Sequence, residues 1–256
     1  MLRFFRKIRH NLLDQGKIVR YLTYAIGEII LVVVGILIAL QVNNWNEARK
    51  DRQDELLILR EIHANLKIDL EEFERNLGHL RNQEIACQKM FEIIEQDLPY
   101  DESYGYYARF VRLFPRFTPK TSGYQLLKTK GLDLVRSDPL RQAITDLYEY
   151  GYNYVRTKEN EISEFKTTQL VPSATAYQGI VSLTVEDKPE SLTVPQGLID
   201  TGRFLTMIRF EQFKKDVDFH ALIKEAQIHG ESFRFSHEFS VEEIKALITR
   251  LEAEFE

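Results

Sequence analysis

Cysteine is almost missing from this chain. Its 256 residues hold one, Cys87, so no intramolecular disulfide can staple the fold and no C-x-x-C pair can bind a metal or cycle in redox. Proline and glycine are scarce too, at 7 and 12. That is too few for the many turns of an all-β fold, and it favours long helices. The chain contains no P-loop, G-x-G-x-x-G, G-x-S-x-G or H-E-x-x-H. Phosphate cradles, dinucleotide turns, nucleophile elbows and helix-borne zinc pairs are thereby excluded as sources of chemistry. His63, His79, His220, His229 and His237 are scattered, whereas a zinc site wants a tight cluster. No catalytic residue, no metal site and no cofactor is expected, and the protein reads as a non-enzyme.

Charge is unevenly spread. The net charge is −5, yet residues 1–20 hold six basic residues and only Asp14 against them, which is +5 and leaves −10 for the rest. An acidic body makes nucleic acid a poor partner. A basic head that runs straight into an apolar stretch points to a lipid bilayer instead.

That stretch is residues 22–40, nineteen residues in which only Thr23 and Glu28 are distinctly polar. At 1.5 Å rise per residue, about 20 residues cross the hydrocarbon layer. Tyr21 and Tyr24 mark one interface and Trp45 the other. A cleaved signal peptide fits poorly, because the run is long and the bulky LQVNNW follows it in place of a small-residue cleavage site. Basic residues predominate before the span, six against four in windows of 20. The positive-inside rule then puts the N-terminus in the cytoplasm and residues 46 onward in the periplasm. The head MLRFFRKIRHNLL sets Phe5, Ile8 and Leu12 on one helical face. It reads either as an amphipathic segment on the inner leaflet or as a disordered basic flank.

Glu28 is the anomaly, since an intramembrane carboxylate costs about 2–3 kcal/mol at the bilayer centre and less near its edge. Gly27 and Gly35 remove bulk and let another helix approach, although eight-residue spacing is not GxxxG. Three readings stay open for Glu28: a neutral group hydrogen-bonded between helices, a snorkelling side chain without a role, and a proton-carrying site beside a partner channel.

The block YAIGEI-LVV-GILIALQVNNWNE, with MLRFFRKIRHNLL before it and SGYQLLKTKGLDLVRSDPLRQAITDLYEYGYNYV after it, resembles a large family of uncharacterised short membrane proteins of Bacteroidota-type Gram-negative bacteria. The resemblance is tight over the first 50 residues and loose beyond. It implies one inner-membrane span and a C-terminal domain of unknown function, and it carries over no catalytic residue.

Beyond the span, Leu56, Leu59, Leu66, Leu70, Phe73, Leu77, Leu80, Cys87, Phe91, Ile94 and Leu98 fall on alternating steps of three and four, with His63 and Glu84 breaking the series. This heptad pattern predicts a long helix continuous with the membrane helix. Carried backward, the register takes in Val42, Ile38, Gly35, Leu31 and Glu28. The seam faces either a second copy of the chain or later helices of its own, and Ile58, Ile62, Ile68 and Ile85 widen it as bundle helices require. Asp69, Glu71, Glu72 and Glu74 read as a solvated face, and Cys87 as a small core hydrophobe.

The aromatics around Arg109, Arg112 and Arg116 read as core with arginines at the rim. Thr121-Ser122 opens a short helix that Gly131 stops, and Ser137-Asp138-Pro139 opens another. Along the latter, Leu140, Ile144, Leu147, Gly151, Tyr154, Ile162 and Phe165 form a stripe. Tyr148, Tyr150, Tyr152 and Tyr154 suit core packing or, less simply, an aromatic ligand surface. Residues 171–202, rich in proline and glycine and with SLTV twice, predict an irregular insertion. Helices are expected near 203–213 and 218–229, with a turn in HGESFRFSH and a last helix from Ser240 with a capping box to Glu243.

The fold class expected is mainly α: one transmembrane helix (residues 21–45, after a head at 1–20) that continues into a heptad-patterned helix, then an antiparallel bundle to residue 256. The expected role is partner binding or sensing outside the cytoplasm, as a homo-oligomer or beside another membrane protein. No small-molecule substrate is identifiable. The alternative is an accessory subunit of a proton-driven envelope motor or transporter that uses Glu28.

Overall fold

The computed structural model describes residues 18–181, 189–193 and 204–255. The basic head lies outside them, as does most of the SLTV-bearing stretch. The chain divides into two units, Met1–Glu55 and Leu56–Glu256. One helix, α1 (Ile18–Glu95), carries the described part of the first unit and opens the second. Its length follows from composition: between residues 47 and 95 only Gly78 interrupts good helix formers, and no proline occurs. The helix ends where Asp97 turns left-handed (φ 49°) and Pro99 follows.

In the first unit α1 is bare. Its large apolar side chains from Leu22 to Trp45 are 46–75 % exposed.

The second unit is a helical bundle. After α1 come α2 (Tyr104–Arg112), α3 (Ser122–Lys130), α4 (Asp138–Asp146), α5 (Tyr152–Phe165) and α6 (Val171–Ala174). A two-stranded antiparallel sheet follows, β1 (Gln178–Val181) on β2 (Phe204–Met207), with Gln178 opposite Met207. The short α7 (Phe210–Phe213) and the 37-residue α8 (Val217–Ala253) complete it. From Asp138 to Ala174 the helical path is unbroken but is loosened by two π-helical turns, Leu147–Gly151 and Lys166–Leu170. Such turns are frequent at functional sites.

The α1 and α8 helices run antiparallel. His63 meets Glu252, Phe73 packs on His237, and Gln83 donates to the Ala226 carbonyl. Two apolar clusters line this pair. One holds Leu59, Leu66, Phe73 and Leu80 with Ile144, Tyr152, Phe233 and Leu247. The other holds Cys87, Met90 and Ile93 with Phe110, Phe213 and Ile223. The heptad seam of residues 56–98 is thus spent on later helices of its own chain, not on a second copy. Leu59, Leu66, Phe73, Leu77, Leu80 and Cys87 are buried as expected. Ile68, assigned to the widened stripe, is 46 % exposed instead.

Three expectations fail in the C-terminal third. Residues 204–207 are strand, not helix. HGESFRFSH is no turn but the middle of α8, and Ser240 is buried within the same helix rather than capping a new one. The helix starts earlier, at the Asp216 cap, whose carboxylate accepts from the Phe219 N–H at 3.0 Å. Gly230 looked like a break. It is instead a close approach, because a Cβ there would stand 3.0 Å from Gln83 Nε2.

Candidate functional site

Three features bear on function, and the first is the membrane-length segment. Among the described residues, α1 is the one helix long and apolar enough to cross a membrane. Tyr24 and Glu28 are half-buried within it, and Trp45 is 66 % exposed, with the Arg49 guanidinium over its ring at 5.9 Å. Tyr21 lies on the same helix, its side chain outside what is described. A Cβ at Gly27 or Gly35 would meet nothing within 4 Å. The chain's own packing therefore does not require glycine at either position.

The second feature overturns the solvated-face reading of Asp69, which is fully buried. On α1, Asn65, Asp69, Glu72 and Asn76 are spaced four, three and four apart and share a face. The non-helical residues 116–121 and the first residues of α3 run antiparallel along it. Asn65 Oδ1 accepts from the Gly123 N–H at 3.0 Å, Asp69 Oδ1 from the Lys120 N–H at 2.9 Å and Glu72 Oε1 from the Thr118 N–H at 3.0 Å. Asn76 Nδ2 donates to the Arg116 carbonyl at 3.1 Å. Each turn of the helix thus holds one backbone group of this stretch, from the buried Gly123 N–H to the exposed Thr118 N–H. Burial pushes the Asp69 carboxyl up to about 6, against the pull of the Lys120 N–H and the Tyr152 hydroxyl. This ladder is structural: it fastens the loop that delivers α3 to α1.

Two other buried ionisable groups are also internal. Lys166, on the second π-helical turn, donates to the Leu113 carbonyl at 2.6 Å and lies 5.5 Å from the Phe114 ring centre. Burial lowers it to about 7. His237 is held neutral by burial, down to about 4, between Phe73 and Phe233. Among the described residues, no three His, Cys, Asp or Glu side chains are grouped as metal ligands. A void beneath the two-stranded sheet measures about 10 Å³, room for one water and no more.

The third feature is an open groove of about 400 Å³ between α8 and the first π-helical turn. The tyrosine run is divided there. Tyr148 and Tyr152 are buried in the core, Tyr148 stacked on Tyr124 at 4.5 Å. Tyr150 and Tyr154 point outward, 72 % and 47 % exposed, so Tyr154 is not part of the buried stripe. Facing them from α8 are Phe235 and Phe239, 65 % and 53 % exposed. Each pair is spaced i, i+4 and so lies on one helical face. Asp146 and Glu243 complete the lining and also border an adjoining hollow of about 210 Å³. Glu243 Oε2 is buried and accepts no hydrogen bond. Burial, then the nearby Asp146, raises the Glu243 carboxyl above its ordinary range. Gly151 admits that carboxylate, since a Cβ there would lie 3.2 Å from Glu243 Oε2. The tyrosines were visible in the sequence as a possible surface. Of their phenylalanine partners, Phe235 lay hidden in a stretch that read as a turn and Phe239 just beyond it.

A family model described as a family of unknown function (DUF6090) matches residues 28–194. No curated protein and no solved structure matches the chain.

Proposed function

The chain belongs to this family of unknown function, and from that premise we propose that it is a single-pass membrane protein whose helical domain binds a partner or ligand without catalysing a reaction. The observation that carries the reading is the solvent-facing apolar run of residues 22–45 on α1. About 14 large apolar groups left in water would cost more than most domains' whole stability, so a lipid phase is their natural surrounding. With the basic head on the cytoplasmic side, the bundle of residues 56–256 stands outside the inner membrane. The groove pairs aromatic faces with carboxylates and has no serine, cysteine, lysine or histidine in its lining, which suits recognition. A homo-oligomer or a contact with another membrane protein within the bilayer would form along residues 22–45, where Gly27 and Gly35 leave room.

Two measurements test this. Alkaline extraction leaves the protein in the membrane pellet, and protease added outside spheroplasts digests the domain. Recovery in the soluble fraction, or protection of the domain from outside protease, overturns the reading. A second reading, an accessory subunit of a proton-driven motor or transporter, rests on Glu28 alone, a carboxylate in the apolar run.

A further inference from the structure

We propose that the groove between the first π-helical turn and α8 binds a small organic cation bearing an alkylated ammonium group. The inference rests on the reading of the domain as a binding module and names the ligand class for it. Four exposed aromatic rings, Tyr150, Tyr154, Phe235 and Phe239, stand in two facing i, i+4 pairs. Aromatic faces carry negative quadrupoles and attract cations, and alkylated ammonium ions gain most because they shed water easily. An apolar ligand would be served by the rings alone, but two carboxylates share the lining, and no basic residue does.

Glu243 supplies the second argument. Its Oε2 is buried at the groove wall and accepts no hydrogen bond. A quaternary ammonium has no N–H to offer that oxygen, so its contribution is electrostatic: a cation in the groove offsets the charge of the Glu243 and Asp146 carboxylates that line it. The chain also takes an unusual backbone route to build the site. The π-helical turn Leu147–Gly151 holds the Tyr150 ring outward, and Gly151 leaves the space into which Glu243 reaches. Lys158, outside the lining, sets its Nζ 5.8 Å from the Tyr154 ring centre, a cation–ring contact within the chain. At about 400 Å³ the groove is at the small end of ligand sites, which favours a small molecule over a folded partner. Arg250 lines only the adjoining hollow, beyond the two acids.

The test is calorimetric titration of the full-length chain in maltoside micelles, a detergent without ammonium groups, with choline and with its neutral carbon isostere 3,3-dimethylbutan-1-ol. Choline is expected to saturate one site and the isostere to bind at least about tenfold more weakly. Glu243→Gln and Tyr150→Ala should each weaken choline binding by about tenfold or more. Tyr150 is mostly exposed, so its variant keeps the fold, which circular dichroism checks. Equal binding of the isostere overturns the proposal, as does absence of saturation by about 10 mM choline. A lysine-rich peptide that outcompetes choline overturns the small-molecule assignment. Membrane extraction and protease accessibility on the same preparation report on the anchored-module reading independently, so a failed titration leaves that reading standing.

Discussion

The Tyr152 hydroxyl donates to Asp69 Oδ2 across 2.7 Å in the interior of the helical domain. This contact ties α5 to α1 and makes a buried carboxylate the hub of the ladder that holds residues 116–123. Burial holds the proton on Asp69 more tightly than in the unfolded chain, at about 6 against an ordinary 3.8.

The sign of the pH dependence follows. Between pH 4 and pH 6 the folded state binds more protons than the unfolded state, so this group's contribution falls as pH rises through that window. Fully expressed, the difference is about 3 kcal/mol. Asp69→Asn removes the titration at the cost of one acceptor, a pH-independent loss. Denaturant titrations at pH 4 and pH 7 should show the wild type losing about 2–3 kcal/mol relative to Asp69→Asn on going to the higher pH. Parallel pH profiles for the two proteins would refute the assignment.

Gly123 lands on α1 at the end of the same ladder. A Cβ there would stand 2.7 Å from the Ile62 backbone nitrogen and 2.8 Å from its Cγ1. Backbone cannot retreat as a flexible side chain can. Gly123→Ala should therefore cost at least about 2 kcal/mol, seen as a lowered denaturation midpoint. Gly78→Ala, with nothing within 4 Å of the new methyl, should stabilise the helix by up to about 1 kcal/mol.

The contrast between Leu59 and Asp69 explains what the sequence could reveal. Leu59 and its heptad companions announce a buried face because their partners are apolar side chains, and periodicity detects such faces. Asp69 is as deeply buried, but its partner is a backbone N–H on a segment without regular structure, and no hydropathy pattern encodes that. Its spacing from Asn65, Glu72 and Asn76 was the available signal, masked by neighbouring Glu71 and Glu74. Gly230 misled for a related reason: a glycine that admits Gln83 looks in sequence like one that ends a helix. The groove was half legible, since Tyr150 and Tyr154 alternate visibly with Tyr148 and Tyr152. The merging of 218–229 with the following residues into α8 set Phe235 and Phe239 opposite them.

Lys166 yields a pH response of the other kind. Burial lowers it from 10.5 to about 7, so the unfolded chain holds the proton more tightly. Below pH 7 the full penalty of a buried charge is felt, and it is relieved as pH rises toward 10. Lys166→Met keeps the length and removes the charge, leaving the Leu113 carbonyl without its donor at every pH. Between pH 7 and pH 10 the wild type should gain up to about 4 kcal/mol on Lys166→Met. Cys87 does not confuse the comparison, because burial raises its thiol to about 12. A constant difference between the two proteins across that range counts against a charged, buried Lys166.

Glu28 separates anchoring from proton coupling. If the carboxylate serves helix packing, Glu28→Gln keeps a hydrogen-bonding side chain of the same shape and should leave membrane assembly intact, while Glu28→Leu weakens it by about 1–2 kcal/mol. The packing partner is reported by Gly35→Cys, since a Cβ there has open space around it and a disulfide to a second copy can form. Leu59 is unsuitable for such a probe, being wholly buried within its own chain. Oxidative cross-linking of Gly35→Cys in native membranes is expected to give a dimer, and the yield should fall when Glu28→Leu is added but persist with Glu28→Gln. If Glu28→Gln instead abolishes the protein's cellular function while the cross-link forms normally, packing is not what the carboxylate is for, and the proton-coupled reading takes its place.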